Sequence, residues 1–135
     1  MSVLVIGATG QLGQDLMRLL GADAIGMSSA DIDVTDGVGV SRVIREHRPE
    51  WIINTAAYHR VDDCEVQPAR AFAVNAVGAS NVARAAAEVG AGIVFYSTDY
   101  VFAGIGRGRD EPHTENDAPE PLNVYGVSKL AGERL

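Results

Sequence analysis

The sequence lacks the features of a secreted, membrane-bound or nucleic-acid-binding protein. Its 135 residues contain one cysteine, Cys64, so no internal disulfide can form and a reducing compartment is expected. No apolar run approaches the ~20 residues of a bilayer-spanning helix, and no positively charged segment opens an export signal. The net charge is −7 without a basic cluster, which argues against nucleic acid or an anionic membrane as a partner. We therefore expect a cytoplasmic protein of one domain.

Short apolar runs alternate with segments of helical periodicity. The apolar runs at 3–6, 24–27, 51–55 and 93–98 predict four buried strands. Helical spacing of apolar residues follows each of the first two strands, and an alanine-rich helix is predicted over 68–89. This alternation is typical of right-handed βαβ units around a parallel sheet. The predicted fold class is α/β, with a Rossmann-like, doubly wound parallel sheet.

The ends of several elements are marked by turn and capping residues. Thr35 or Asp36 is predicted to cap the second helix. The stretch 103–122 holds three glycines and three prolines and is predicted to be a long loop. The last helix is predicted to begin near Asn123, and its pattern continues to Leu135 without a terminating residue. We therefore expect a chain truncated before the last strands of its sheet.

Three glycines form a turn between the first strand and the first helix. Gly7, Gly10 and Gly13 have the spacing G-x-x-G-x-x-G. Glycines allow the backbone to approach a pyrophosphate closely, and the free N–H groups at a helix start attract anions. The alternative is a tight strand–helix connection without a ligand, but the strand–turn–helix context favours binding. Residues 1–135 are thus predicted to form an NAD(P)-binding Rossmann domain.

The residues after the second strand bear on the form of the cofactor. A carboxylate there would bind both hydroxyls of the NAD ribose. This sequence has Ser28 and Ser29 instead, with Asp31 and Asp33 further along. A neutral Ser28 does not repel the 2′-phosphate of NADP, although no arginine follows this strand to attract it. The sequence favours NADP slightly and leaves NAD open.

Tyr125 and Lys129 have the spacing of a phenol and an ammonium one helical turn apart. A neighbouring ammonium lowers the pKa of a phenol towards neutral pH, which would make Tyr125 a usable acid or base. Taken alone, this spacing more often belongs to a surface pair than to a catalytic one. Ser97 and Thr98, however, are predicted to close the fourth strand, at the edge where parallel sheets bind ligands. Glycine turn, strand-end hydroxyl and tyrosine–lysine pair therefore predict one site.

No metal site is predicted. His47, His59 and His113 are isolated and lack the spacing of metal ligands, and a surface role is expected for them. The acidic residues Asp62 and Asp63 are interpreted as the start of a solvated helix, where negative charge suits the helix dipole.

Several longer motifs carry a resemblance to a known family. They include Tyr96-Ser-Thr-Asp-Tyr-Val-Phe102 and Pro121-Leu-Asn-Val-Tyr-Gly-Val-Ser-Lys-Leu-Ala-Gly132, together with Asn54-Thr-Ala-Ala-Tyr58 and the glycine turn. With these motifs the chain resembles the extended short-chain dehydrogenase/reductase superfamily, and within it the dTDP-4-dehydrorhamnose reductase family. The matching stretches run through nearly the whole chain. Ser28 is a departure, since some relatives carry an acid at its position.

The resemblance implies roles for individual residues. The catalytic residues it implies are Thr98, Tyr125 and Lys129, with Tyr125 as the acid. It implies substrate contacts for Thr98 and Asp99. It implies cofactor contacts for Gly7, Gly10, Gln11, Leu12, Gly13, Ser28, Asp33, Val34, Ala56, Ala57, Tyr58, Tyr96, Tyr125 and Lys129.

The resemblance also implies a reaction. It is the NAD(P)H-dependent reduction of a nucleotide-linked 4-keto-6-deoxy sugar, dTDP-4-dehydrorhamnose to dTDP-rhamnose, in deoxysugar and polysaccharide biosynthesis. One alternative is a sugar-nucleotide epimerase or dehydratase that retains NAD, and another is a non-catalytic dinucleotide-binding regulatory subunit, as in methionine adenosyltransferase. Relatives are about twice as long, so the substrate domain is expected to be absent from this chain. Activity of the isolated chain and a homodimer of the full-length protein are left open.

Overall fold

The computed structural model describes residues 1–104 and 112–135 and contains a four-stranded parallel sheet. Its strands lie in the order β2-β1-β3-β4, and each hydrogen-bonded neighbour runs parallel. Their bounds are β1 (Val3–Ile6), β2 (Ala24–Met27), β3 (Trp51–Asn54) and β4 (Gly92–Phe95). The predicted Rossmann-like sheet is confirmed. Of the predicted loop 103–122, residues 105–111 lie outside the described residues.

Helices connect and cover the strands. They are α1 (Gln11–Leu20), α2 (Gly37–His47), α3 (Val61–Val66), α4 (Pro68–Phe72), α5 (Ala79–Val89) and α6 (Val124–Arg134). The Asp36 carboxylate caps α2 by accepting the N–H of Val38 at 3.2 Å, and Asn123 caps α6 by accepting the N–H of Gly126 at 2.7 Å. Both caps satisfy backbone donors that a helix start leaves unpaired. No helix among the described residues is long and apolar enough to cross a membrane.

The core lies between the sheet and the pair of helices α2 and α5. Leu4, Ile6 and Ile52 of the sheet are at most 1% exposed, and Ile44 and Val82 of the helices are fully buried. Burying one such side chain contributes about 1.5–3 kcal/mol of transfer free energy. This layer fixes the carboxyl ends of β1 and β3, where the predicted site residues begin.

Strand β4 is shorter than the sequence pattern predicts. It ends at Phe95, and Thr98 opens a single 3₁₀ turn over Asp99–Val101. The hydroxyl oxygen of Thr98 accepts the N–H of Tyr100 at 3.2 Å, so this side chain caps a turn and cannot continue a strand. In the described residues β4 pairs only with β3, and Ile93 is 38% exposed. Among the described residues β4 is therefore an edge strand.

The predicted helix over 68–89 is interrupted by a π-helical segment, Ala73–Gly78. A wider helical turn of this kind displaces the side chains that follow it and is frequent at functional sites. The segment carries Asn75, which is 1% exposed and lies against α6. No residue in this stretch predicts the wider turn, because Asn75 and Gly78 also fit an ordinary helix.

Candidate active site

The glycine turn lies at the carboxyl end of β1. Gly7 has a φ of +86°, which favours glycine, and its N–H donates to the carbonyl of Met27 at 2.9 Å. A Cβ on Gly13 would lie 2.1 Å from the Gly7 carbonyl oxygen, so the start of α1 packs against the turn backbone. Gly10 precedes α1 without a side-chain cap. The N–H groups at the start of α1 are therefore not capped by a side chain, which suits an anion.

A hollow of about 460 Å³ opens beside this turn, within the size range of ligand pockets. It extends from the ends of β1 and β3 to the loop after β2. Eight predicted cofactor residues line it: Gly7, Gly10, Ser28, Asp33, Val34, Ala56, Ala57 and Tyr58. The structure thus brings together residues that are up to 51 positions apart in the sequence. A larger hollow of about 680 Å³ between α2 and α5 lies away from this sheet edge and holds the Arg45–Glu88 ion pair.

Two carboxylates order the loop after β2. Asp31 accepts hydrogen bonds from the N–H of Ser28 at 2.8 Å and from its hydroxyl at 2.6 Å, which lowers the Asp31 pKa. Asp33 accepts the hydroxyl of Thr35 at 2.7 Å and its N–H at 2.9 Å, and its pKa is lowered likewise. The neutral Ser28 is therefore hydrogen-bonded to a negatively charged neighbour, a contact that could not be predicted from the sequence.

Arg70 is a groove residue that sequence reasoning missed. It lies on α4, lines the same hollow as Gly10 and Ser28, and places its guanidinium 5.0 Å from the ring centroid of Tyr58. A cation over an aromatic face is held in place without an acidic partner. The sequence does show a basic residue two positions after Pro68, at a predicted helix start. It does not show that this helix faces the groove, so the role of Arg70 could not be predicted.

A second hollow continues from the glycine turn toward α6. Its lining includes the predicted residues Gly10, Gln11, Leu12, Gly13, Ala57, Tyr96, Tyr125 and Lys129. The tyrosine–lysine pair therefore faces the glycine turn, as its position in the sequence predicted. Asp99 lines a separate hollow with Tyr100, Phe102 and Asn123.

Tyr125 and Thr98 meet at the entrance to α6. Burial raises the pKa of the Tyr125 phenol and the nearby Asp99 raises it further, while the interaction with the Thr98 side chain lowers it by less than burial raises it. The Tyr125 ring packs edge-on against Tyr100 with 5.8 Å between centroids. The predicted lowering of the Tyr125 pKa by Lys129 is not found. The net shift is upward because desolvation penalises the phenolate.

Lys129 is buried against the end of β4 and the residue that follows it. Its ammonium donates to the carbonyl of Tyr96 and lies 4.1 Å from the ring centroid of Phe95. Only 2% of the residue is exposed, and this burial lowers the Lys129 pKa to about 8. The group remains mostly charged at neutral pH, within reach of the hollow that Tyr125 also lines.

Asn75 connects the groove to α6. Its side-chain oxygen accepts the N–H of Tyr58 at 2.8 Å, and its nitrogen donates to the Tyr58 carbonyl at 3.0 Å and to the hydroxyl of Ser128 at 2.9 Å. One buried amide thus holds the end of the segment after β3 and the middle of α6 together. This role could not be predicted, since the sequence places Asn75 in a helix with no partner in view.

We expect Asn75→Leu to lower the free energy of unfolding by about 3 kcal/mol. Leucine has a similar branched shape but leaves the N–H of Tyr58 unpaired and its carbonyl with only the weak Cys64 thiol donor, and each unsatisfied buried group costs about 1–3 kcal/mol. Urea denaturation followed by circular dichroism measures the change. Ser128→Ala is the control, because it removes the two hydrogen bonds of the Ser128 hydroxyl, from the Asn75 amide and to the Tyr125 carbonyl, and leaves the Tyr58 contacts intact. An Asn75→Leu variant as stable as the unchanged protein would contradict this account.

Among residues 1–104 and 112–135, no group of three or more histidine, cysteine, aspartate or glutamate side chains is placed to hold a metal ion. His113 stacks on Phe102 with 4.1 Å between ring centroids and lies 3.5 Å from Asp117. Cys64 is buried, and its thiol donates to the carbonyl of Tyr58 at 3.4 Å.

The parallel sheet, its glycine turn and the groove at its carboxyl edge define a Rossmann-type domain. The sequence matches the RmlD substrate binding domain family over residues 1–135, and the chain belongs to this family. The match covers every residue of the chain.

Named relatives and solved structures agree with this assignment. The dTDP-4-dehydrorhamnose reductase of Escherichia coli (strain K12) is 44% identical over 140 residues, which cover 99% of this chain and 46% of that protein. A crystal structure of a dTDP-4-dehydrorhamnose reductase from Clostridium acetobutylicum superposes with a TM-score of 0.94 at 42% identity, covering 99% of this chain and 48% of that one. The dTDP-4-dehydrorhamnose reductase of Bacillus anthracis, in complex with NADP, gives a TM-score of 0.90 at 42% identity, covering 99% and 49%. The chain therefore spans about half the length of the relatives it matches.

Proposed function

We propose that this chain is the dinucleotide-binding part of a dTDP-4-dehydrorhamnose reductase of the extended short-chain dehydrogenase/reductase type, acting in the cytoplasm. The observation that carries the proposal is the second hollow, where Tyr125 and Lys129 face the glycine turn; the Thr98 side chain interacts with the Tyr125 phenol beside it. Its 44% identity to the Escherichia coli reductase supports the substrate assignment. A nucleotide sugar is then the substrate, and a homodimer of the full-length protein is the proposed assembly.

NADPH is the proposed cofactor, with NADH as the alternative. The turn fits a pyrophosphate because the Gly13 position has no room for a Cβ, so backbone N–H groups line this approach. The NADP bound to the Bacillus anthracis relative supports the phosphorylated form. Val34 and Asp33 would hold the adenine, and Ala56, Ala57 and Tyr58 the remainder of the groove.

The chain's own residues would act as follows. When bound, the reduced nicotinamide supplies a hydride to C4 of the keto-sugar. Thr98 would donate a hydrogen bond to the sugar carbonyl oxygen, and Tyr125 would give its proton to the same oxygen as negative charge develops there. A raised Tyr125 pKa suits this step, since the phenol then carries its proton at neutral pH. Lys129 would bind the nicotinamide ribose, and Asp99 would contact the sugar.

An assay of NADPH oxidation with dTDP-4-dehydrorhamnose tests the proposal. The protein is expected to oxidise NADPH only when this sugar is present, with the product identified by chromatography as dTDP-rhamnose. A tightly held NAD that resists dialysis, with sugar epimerisation in its place, would contradict the reductase assignment. Dinucleotide binding without turnover of the sugar by the full-length protein would favour a regulatory role.

We expect Arg70→Gln to weaken the binding of NADPH and NADH to the same extent, by about 5-fold. Arg70 lies beside the end of β3, two strands from Ser28, so it is placed for the phosphates that both dinucleotides share. An exposed ion pair contributes at most about 1 kcal/mol, and added salt screens it. Fluorescence titration of both reduced cofactors at two salt concentrations measures the effect.

Arg84→Gln is the matched control for this variant. Arg84 is an exposed arginine on α5 and is not among the residues that line either part of the groove. Its replacement is expected to leave both affinities unchanged. Loss of NADPH affinity alone in Arg70→Gln would assign the guanidinium to the 2′-phosphate and would overturn the expectation for the shared phosphates.

A further inference from the structure

Three successive turns of α6 contact three successive residues after β4. The Tyr125 phenol interacts with the Thr98 hydroxyl, and the Lys129 ammonium donates to the carbonyl of Tyr96. One turn further, the hydroxyl of Ser97 donates to the carboxylate of Glu133. Residues spaced by four lie on one face of a helix, so this face of α6 spans the whole segment from Tyr96 to Thr98.

The end of α6 packs tightly against its neighbours, which fixes the contact between Glu133 and Ser97. A Cβ on Gly132 would lie 2.3 Å from the carbonyl oxygen of Asn75 and 3.0 Å from the Phe95 ring. The helix backbone therefore packs directly on the π-helical segment and on the end of β4. Glu133, the next residue, is directed by this seating toward Ser97.

We propose that Glu133 is a positioning residue, which fixes Ser97 next to Thr98 and stabilises the charged form of the buried Lys129. This inference rests on the proposed function for its catalytic meaning. Glu133 itself contacts Ser97 and not the reacting groups.

The electrostatics of Lys129 support this role. Burial lowers the Lys129 pKa to about 8, and the negative charge of Glu133 acts in the opposite direction. The other groups around the ammonium are the Phe95 ring and the Tyr96 carbonyl, with His59 and Tyr125 in the same hollow. Glu133 is the group whose charge raises the Lys129 pKa.

The sequence offers an unambiguous probe of this effect. Lys129 is its only lysine, since ten of the eleven basic residues are arginines. In this 135-residue chain, ε-¹³C-labelled lysine therefore gives a single side-chain signal, and in a longer protein the signal that is lost in Lys129→Arg identifies it. Its chemical shift reports the protonation of Lys129 without cofactor or substrate. We expect Glu133→Gln to move the midpoint of this titration to lower pH by about half a unit or more, because the neutral amide no longer attracts the ammonium.

Two further variants separate the charge of Glu133 from its hydrogen bond. Ser97→Ala removes the hydrogen bond and keeps the carboxylate, so the Lys129 titration is expected to stay in place while turnover falls about 5- to 10-fold. Glu133→Gln keeps an acceptor for Ser97, so its turnover at pH 6.5 is expected to stay within 2-fold of the unchanged protein and to decline at lower pH values than the unchanged protein does. Matching circular dichroism spectra would establish that each variant is folded.

An unchanged Lys129 titration in Glu133→Gln would overturn the electrostatic part of this inference. Unchanged turnover in Ser97→Ala would overturn the positioning part. The NMR titration does not depend on the substrate, so a protein that shows the expected shift but no reductase activity would refute the proposed function alone.

Discussion

Gly13→Ala is expected to abolish detectable NADPH binding and to lower the free energy of unfolding by about 3 kcal/mol. A Cβ at this position would lie 2.1 Å from the Gly7 carbonyl oxygen and 2.8 Å from the Cα of Ala8, and neither backbone atom can rotate away. The first turn of α1 would have to move off the glycine turn, and the N–H groups that face the cofactor would move with it. Fluorescence titration with NADPH and urea denaturation measure the two effects.

Gly10→Ala is the matched control in the same turn. A Cβ on Gly10 would meet only the Gly7 carbonyl oxygen, at 3.2 Å, and the residue has a φ of −72° that alanine adopts without strain. Stability is therefore expected to change by less than about 1 kcal/mol. Gly10 lines both hollows of the groove, so a bulky side chain at this position would project into it. Such a variant is expected to be stable and to lose NADPH binding. Gly13→Ala with normal NADPH affinity would contradict the role assigned to the turn.

The fold was predictable where a local pattern determined a buried element. The continuous apolar run Val3–Ile6 is buried along its whole length, as expected of a parallel strand with helices on both faces. Asp36 caps α2 as its position predicted. The end of β4 was not predictable in this way, because Thr98 has high strand propensity and its capping of the 3₁₀ turn depends on the contacts of the residues that follow.

The site was predictable in its motifs and not in its connections. Tyr125 and Lys129 share a helix, so their spacing alone placed them on one face. Arg70, Asn75 and Glu133 reach the site from three different turns of the chain, and only the packing of α4, the π-helical segment and α6 brings them there. No short motif carries that information.

The direction of the Tyr125 pKa shift could not be predicted from residue spacing either. An ammonium four residues away lowers a phenol pKa only when it faces the oxygen and both groups remain solvated enough to be charged. In the structure the Lys129 ammonium donates a hydrogen bond to the Tyr96 carbonyl, and burial raises the Tyr125 pKa. Depth of burial is a property of the tertiary fold, and it reversed the expected sign.

Tyr125→Phe is expected to lower the turnover of dTDP-4-dehydrorhamnose by about 10²- to 10⁴-fold, the usual contribution of a positioned acid. Phenylalanine keeps the edge-on packing against Tyr100 and removes only the hydroxyl that hydrogen-bonds Thr98. NADPH affinity is expected to stay within about 5-fold, since a single hydrogen bond contributes about 1 kcal/mol net. Steady-state kinetics of the full-length protein and fluorescence titration separate the two quantities.

Thr98→Val and a pH profile complete the test. Valine is close to threonine in shape but cannot donate to the sugar oxygen, so turnover is expected to fall by about 10-fold to 10³-fold while NADPH binding persists. The unchanged protein should lose activity as the pH rises through about 8, where Lys129 loses its proton, and not at the higher pH where Tyr125 titrates. That order follows from the opposite consequences of burial for an ammonium and a phenol, since each is driven toward its neutral form. Full turnover in Tyr125→Phe would remove the phenol from the mechanism and leave the groove as a binding site only.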